Sequence, residues 1–372
     1  MTVALRSRRG PLSWMATIAL LATALLALTP GTSLAAFPGV PGPIAFQSTR
    51  AGGLSVWLIG ADGAGLRQFT VGGGGGPRPQ LFQYSPAISP DGRSVAYVGA
   101  EERGGKTWRN LFVKPIAARD PKQAGHPVLD RPTLRAINSV TFAPGGRRLI
   151  FSAVPADGGD LELFSVGTDG RGRRQLTRNA IQDIEPTVSV TGRIAFARLF
   201  QRGRPSQALF GRANLALLLP GRIVPLPLTS GSTEDRDPDF GPSGRSLVFE
   251  RYSRGANSGA GRIIRLDLAS KRLQTIFAGS RAGGSFDDPH SPALSPSGGE
   301  LVFDRTVRDE AGQIENPSLY KIGATGQGLD ALLEAGDAYD TDPSWGTLPR
   351  GAGRSGSDGT RTRDLRRDRP AL

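Results

Sequence analysis

Cysteine is absent from all 372 residues, which excludes disulfides, thiol nucleophiles and thiolate metal ligands. Histidine is nearly absent too. His126 and His290 stand alone in separate stretches, which argues against a histidine-rich metal or lyase centre, and both are expected in surface loops. No Gly-x-Ser-x-Gly elbow occurs, and nothing after residue 349 is long enough for the α/β domain of a propeller-type serine peptidase. The glycine run Gly72–Gly76 is followed by no Lys-Ser/Thr pair and no helical pattern. It reads as a flexible loop rather than a phosphate cradle.

Charge of one sign dominates the whole chain but not its middle. The net charge is +13, of which Arg6, Arg8 and Arg9 supply three and residues 350–372 a further four, leaving +6 for the rest. Paired arginines such as Arg147-Arg148 sit at turn signals without interleaved aromatics, so a nucleic-acid platform is not expected.

The two ends differ from what lies between. A basic start, an apolar stretch from Trp14 to Leu28 and the small residues Ser33-Leu34-Ala35-Ala36 read as a signal peptide over residues 1–35, cleaved after Ala35 or Ala36. About fifteen apolar residues fall short of the ~20 needed to span a membrane. General secretory export is favoured, because Pro11 stands where a twin-arginine signal carries an apolar residue. Residues 350–372 are charged and nearly devoid of apolar side chains, so they are expected to be a disordered tail. The tail also resembles the peptide made when a reading frame crosses a transfer-RNA gene.

Between the ends, one grammar recurs. Asp237-Pro238-Asp239-Phe240-Gly241-Pro242-Ser243-Gly244 leads into the apolar triplet Leu247-Val248-Phe249. Proline presets φ and glycine tolerates φ > 0, so the middle is a tight turn and the flanks pair as a hairpin. The same pattern leads to Val95-Ala96-Tyr97, Leu149-Ile150-Phe151, Ile194-Ala195-Phe196 and Leu301-Val302-Phe303. The apolar residues before each turn, Ile88, Phe142, Val188, Phe240, Leu294 and Trp345, are spaced by 54, 46, 52, 54 and 51.

A period near fifty with about four short strands implies a β-propeller, since one such sheet cannot bury both faces alone. Ile44-Ala45-Phe46 is a triplet without a preceding turn, and Asp342-Pro343-Ser344-Trp345-Gly346 is a turn motif without a following triplet. Joined, they make one blade. The fold class predicted is therefore all-β: a six-bladed propeller over residues 42–348, closed by a C-terminal strand in the N-terminal blade. Segment 117–135 is assigned to an inter-strand loop.

The repeat Asp/Ser-Pro-x-Φ-Ser/Gly-Pro-x-Gly-Arg-x-Φ-Φ-Phe/Tyr, with Φ apolar, resembles the WD40-like repeat of TolB-type six-bladed propellers. That resemblance implies binding of protein partners, with the channel mouth as the docking place. The group also contains propeller halves of peptidases, so an orphaned propeller remains an alternative.

One set of candidate site residues survives. Acids precede the innermost strand in four consecutive blades: Asp183 and Glu185, Asp235 and Asp237, Asp287 and Asp288, Asp340 and Asp342. Gln83 and Ser85, and Ile137 and Asn138, take similar places in the other two. Such acids either brace turns through backbone N–H groups or form a mouth that attracts a calcium-like cation or a basic segment. The expected function is an exported, monomeric, non-enzymatic scaffold that binds envelope or extracellular proteins, with no cofactor and no nucleic acid. The alternative is a lyase or hydrolase using the mouth carboxylates as acid and base.

Deleting residues 350–372 is predicted to leave the melting temperature unchanged, because so little apolar surface cannot offset the entropy of ordering. A loss of several degrees in a thermal melt would refute this.

Overall fold

The computed structural model describes residues 37–72, 82–103, 106–129, 134, 136–200, 212–253, 260–280, 286–308, 313, 315–333 and 336–349. The predicted leader, Gly73–Gly76 and the tail lie outside the described residues.

Within the described residues all regular structure is β, in four four-stranded sheets and one of eight strands that comprises two blades joined by a single parallel contact, Ala213 to Glu234, which makes six blades. Blade 1 contains β1 (Pro41–Ser48), β2 (Ser55–Ile59) and β3 (Arg67–Gln68). Blade 2 is β4 (Gln83–Ile88), β5 (Ser94–Arg103), β6 (Lys106–Pro115) and β7 (His126–Pro127). Blade 3 is β8 (Ala136–Phe142), β9 (Arg148–Val154), β10 (Glu162–Gly167) and β11 (Arg174–Gln175). Blade 4 is β12 (Gln182–Val188), β13 (Ile194–Leu199), β14 (Ala213–Leu218) and β15 (Leu226–Pro227). Blade 5 is β16 (Glu234–Phe240), β17 (Ser246–Tyr252), β18 (Arg262–Asp267) and β19 (Leu273–Ala278). Blade 6 is β20 (Phe286–Leu294), β21 (Glu300–Arg308), β22 (Ser318–Gly323) and β23 (Asp330–Leu333). The last strand, β24 (Asp340–Thr347), pairs antiparallel with β1 and completes blade 1 as its innermost strand.

The Pro-x-Gly turns join innermost to second strands as the sequence implies. In each, the residue after the innermost strand donates its N–H across the turn: Ser89 to Ser94, Ala143 to Arg148, Ser189 to Arg193, Gly241 to Ser246 and Ser295 to Glu300. Gly92 needs its freedom. Its φ is 68°, and a Cβ there would lie 2.0 Å from the Thr347 carbonyl oxygen. The aromatic residue ending every triplet (Phe46, Tyr97, Phe151, Phe196, Phe249, Phe303) is buried. Burying each such ring is worth about 1.5–3 kcal/mol.

Segment 117–135 departs from its loop assignment, because β7 lies inside it and pairs with β6. Two residues show no alternation, so that strand has no period to read. The outermost strand of blade 4 carries Pro227 and pairs only with β14, the edge position that proline tolerates.

Innermost strands meet in a closed ring, β24 against β4, β4 against β8, and onward through β12, β16 and β20 back to β24. Trp345 of β24 is buried in the core that contains Ile44, Tyr84 and Ile88's neighbour Ala87. Ending the chain after residue 341 should abolish stable folding, and Trp345→Ala should cost about 3–5 kcal/mol. A chain ending at 341 that melts cooperatively at the full-length temperature would contradict closure by β24.

Candidate functional site

The acids predicted at the mouth divide into two sets. Asp183, Asp235, Asp287 and Asp340, the first of each pair, are engaged by arginines. Asp183 Oδ1 lies 2.8 Å from Arg198 Nε, Asp235 Oδ1 2.6 Å from Arg251 Nε, and Asp287 Oδ1 2.7 Å from Arg305 Nε. Arg50 Nη2 lies 2.6 Å from Asp340 Oδ2. Each pair is two-pronged; three join an innermost strand to the second strand of its own blade, and the fourth joins β24 to Arg50 in the turn after β1. Paired in this way, these four carboxylates brace the blades.

The second set lies at β-bulges. Glu185, Asp237 and Asp342 precede prolines and adopt φ of 55°, 45° and 53°, as do Ser85 (56°) and Ser291 (47°) in equivalent places. The ladder shifts register at each of these points, where proline offers no N–H. Left-handed backbone is uncommon outside glycine, and its recurrence in five blades marks an imposed conformation. Blade 3 has Ile137 and Asn138 there and no proline; Ile137 is core, and Asn138 Nδ2 is buried without a hydrogen-bond partner among the described residues. Gln83 donates to the Val71 carbonyl at the rim.

Side chains of one blade receive the backbone N–H of the next at these bulges. Gln47 Oε1 accepts from Ser85 N at 3.4 Å, Glu185 Oε2 from Asp237 N at 2.9 Å, Glu250 Oε2 from Ser291 N at 3.2 Å, and Asp304 Oδ1 from Asp342 N at 3.1 Å. Ser291 Oγ donates to Asp342 Oδ1 at 2.9 Å. Glu185 also pairs with the buried Arg236. Asp288 accepts from Gly261 N at 2.6 Å.

Three residues here escaped the sequence reading. Glu250 and Asp304 directly follow the buried Phe249 and Phe303. An acid after a triplet's aromatic, in a strand otherwise apolar, was the available signal. The third is His290, which is not a surface-loop residue. It lies on β20, half-buried, with Nδ1 2.7 Å from the Tyr252 hydroxyl and 3.5 Å from Glu250 Oε2. Its Nε2 is 4.0 Å from Asp288 Oδ2. His126 is exposed on β7.

The electrostatics follow from crowding. Burial opposes a charged imidazole, but the hydrogen bond and charge of Glu250, with Asp288 and Asp304, push His290 up to about 10. Burial raises Asp304 to about 6 although His290 pulls it down. Asp237 is driven well above the carboxylate range by burial first, then by Glu185 and Glu250, and its Oδ1 has no hydrogen-bond partner among the described residues. No group of three or more His, Asp or Glu side chains is arranged to hold a metal ion among the described residues.

With ring, bulges and cluster established, the chain can be set beside known proteins. It superposes on TolB from Acinetobacter baumannii with a TM-score of 0.60 and 17% identity, covering 82% of this chain and 67% of that one. A TolB-like protein from Agrobacterium tumefaciens gives 0.54 and 17%, covering 83% of this chain and all of that one. The fold is that of a TolB-type propeller. A manganese-bound oligogalacturonate lyase shares it at a TM-score of 0.51 and 14% identity, covering 82% of this chain and 77% of that one. No family model and no curated protein matches the sequence. TolB-type architecture thus carries both enzymes and non-enzymes, and the site must supply the function.

Two substitutions separate bracing from burdened carboxylates. Asp235→Asn leaves Arg251 without its counter-charge and should cost about 3–5 kcal/mol. Asp237→Asn should be neutral or stabilising at pH 7. A carboxyl whose pKa is raised on folding loses stability as pH climbs above its unfolded value of 3.8, and asparagine does not. The Asp237→Asn advantage should therefore shrink toward pH 4. Equal losses in both variants at pH 7 would contradict this division.

Proposed function

We propose that the protein is an exported, non-enzymatic binding propeller of the cell envelope or extracellular space, whose channel mouth receives a basic segment of a protein partner. The leader-like N-terminus motivates export. The observation that supports the binding reading most is an imbalance of charge. Glu185, Asp237, Glu250, Asp288, Asp304 and Asp342 surround the inner strands of blades 4, 5, 6 and 1, and Arg236 and His290 are the cations the described residues place among them. Low-dielectric walls focus the field of such a mouth and raise the local concentration of a cationic group.

A cation entering beside Asp237 favours its ionised form, so binding should release protons and strengthen as pH rises. The test is capture of envelope proteins by the purified protein, followed by calorimetry in buffers of different ionisation enthalpy. Proton release, a steep loss of affinity with salt and weakening by Asp237→Asn are expected. Salt-independent capture that Asp237→Asn leaves intact would overturn the reading.

A second reading, a lyase or hydrolase, is favoured by the His290–Tyr252–Glu250 contact and by the lyase among the fold neighbours. An imidazole and a phenol within one hydrogen bond are a competent acid–base pair. Turnover of an acidic oligosaccharide or a peptide that disappears in His290→Gln would favour it over the scaffold.

A further inference from the structure

We propose that the groove between blades 1 and 2, on the face carrying the Pro-x-Gly turns, binds an acyl carboxylate: an apolar chain ending in one anionic head. The groove is open to solvent and offers about 680 Å³, within the ~300–1,000 Å³ of small-ligand sites. Its floor is predominantly apolar, with Pro43, Pro115, Ile116 and Pro349 lying over the buried Leu58 and Ile59 of β2. Arg67, Arg93 and Arg119 stand on its walls, and no carboxylate lines it.

The three guanidinium groups are not equivalent. Arg67 donates through Nη2 to the Ile116 carbonyl at 2.6 Å and through Nη1 to the Ala118 carbonyl at 3.2 Å, fixing the wall that carries Arg119. Burial, and then repulsion from Arg119, lower the Arg67 pKa. Arg93 and Arg119 are exposed, and among the described residues their side chains make no hydrogen bond or ion pair.

Neighbouring acids are used in their own turns. Asp62 accepts from Ala64 N, Asp91 from Arg93 N and Ser89 Oγ, and Asp120 from Lys122 N. Elsewhere Arg50, Arg198, Arg251 and Arg305 each hold a carboxylate. In the groove, Arg93 and Arg119 hold none among the described residues. Arginine takes a carboxylate through two parallel N–H donors, and the floor would take the chain. Residues 350–372 start beside the groove at Pro349, but with seven Arg against three Asp they carry the wrong sign to fill it.

The test is calorimetry of the full protein with decanoate, acetate and decanol, and sedimentation with phosphatidylglycerol vesicles. Decanoate should bind at one site, and acetate and decanol at least about tenfold more weakly, since each lacks one half of the recognition. The double variant R93Q/R119Q should lose at least about tenfold in decanoate affinity with an unchanged melting temperature, because neither side chain braces the fold. Equal binding by the double variant, equal binding of decanol, or sedimentation with vesicles without decanoate binding would overturn the proposal. The last outcome would assign the groove to a membrane surface instead.

Discussion

The structure depends on how the innermost strands satisfy their channel-facing backbone. Apart from one parallel contact of β16 with β14, each innermost strand is paired along one edge only, and its other edge would leave buried N–H groups without partners. The next blade's N–H groups are instead received by side chains. Ser344 Oγ accepts from Ile88 N at 3.0 Å, Thr187 Oγ1 from Phe240 N at 3.4 Å, and Asp239 Oδ2 from Leu294 N at 2.8 Å. The device recurs at the bulges, three residues earlier on β16 and β20, where Asp237 and Ser291 donate, and at Asp342 on β24. Polar side chains between blades thus complete the hydrogen bonding of the innermost strands, and an apolar residue at those positions would strand a buried donor at a cost of about 1–3 kcal/mol.

That constraint explains why so many acids are buried near the channel and why they are unequally suited to binding. Glu185, Glu250, Asp239 and Asp304 each accept a backbone N–H from a neighbouring blade. Ordinary hydroxyls or amides do the same work elsewhere, as Gln47 and Ser85 do. Using acids concentrates negative charge in blades 4 to 6 and 1, and His290 and Arg236 offset only part of it. A mouth that is stable yet electrostatically unfinished can gain from a cationic partner, whereas a fully paired mouth cannot.

Much of the fold was legible because its signals are local. The Pro-x-Gly turn and the triplet lie within a dozen residues, and the unmatched halves at Ile44–Phe46 and Asp342–Gly346 revealed the closure directly. The site was legible only by position. That Asp235 faces Arg251 depends on strand register across a bulge, and the aspartate alone does not reveal it. His290 meets Glu250 and Tyr252 across the junction of blades 5 and 6, some forty residues apart in sequence, so its solitary appearance there suggested an exposed loop. The strand His126–Pro127 was too short to carry a period.

Hydrogen exchange tests the central claim most directly. If side chains between blades complete the innermost strands, the amides of Ile88, Phe240 and Leu294 should exchange as slowly as those of Val95, Leu247 and Leu301 in the second strands, through global unfolding alone. Their protection should fall with denaturant along the slope of the whole molecule. Fast, denaturant-independent exchange at Ile88, Phe240 and Leu294 beside protected second strands would contradict the account, since the ring would then be held by packing alone.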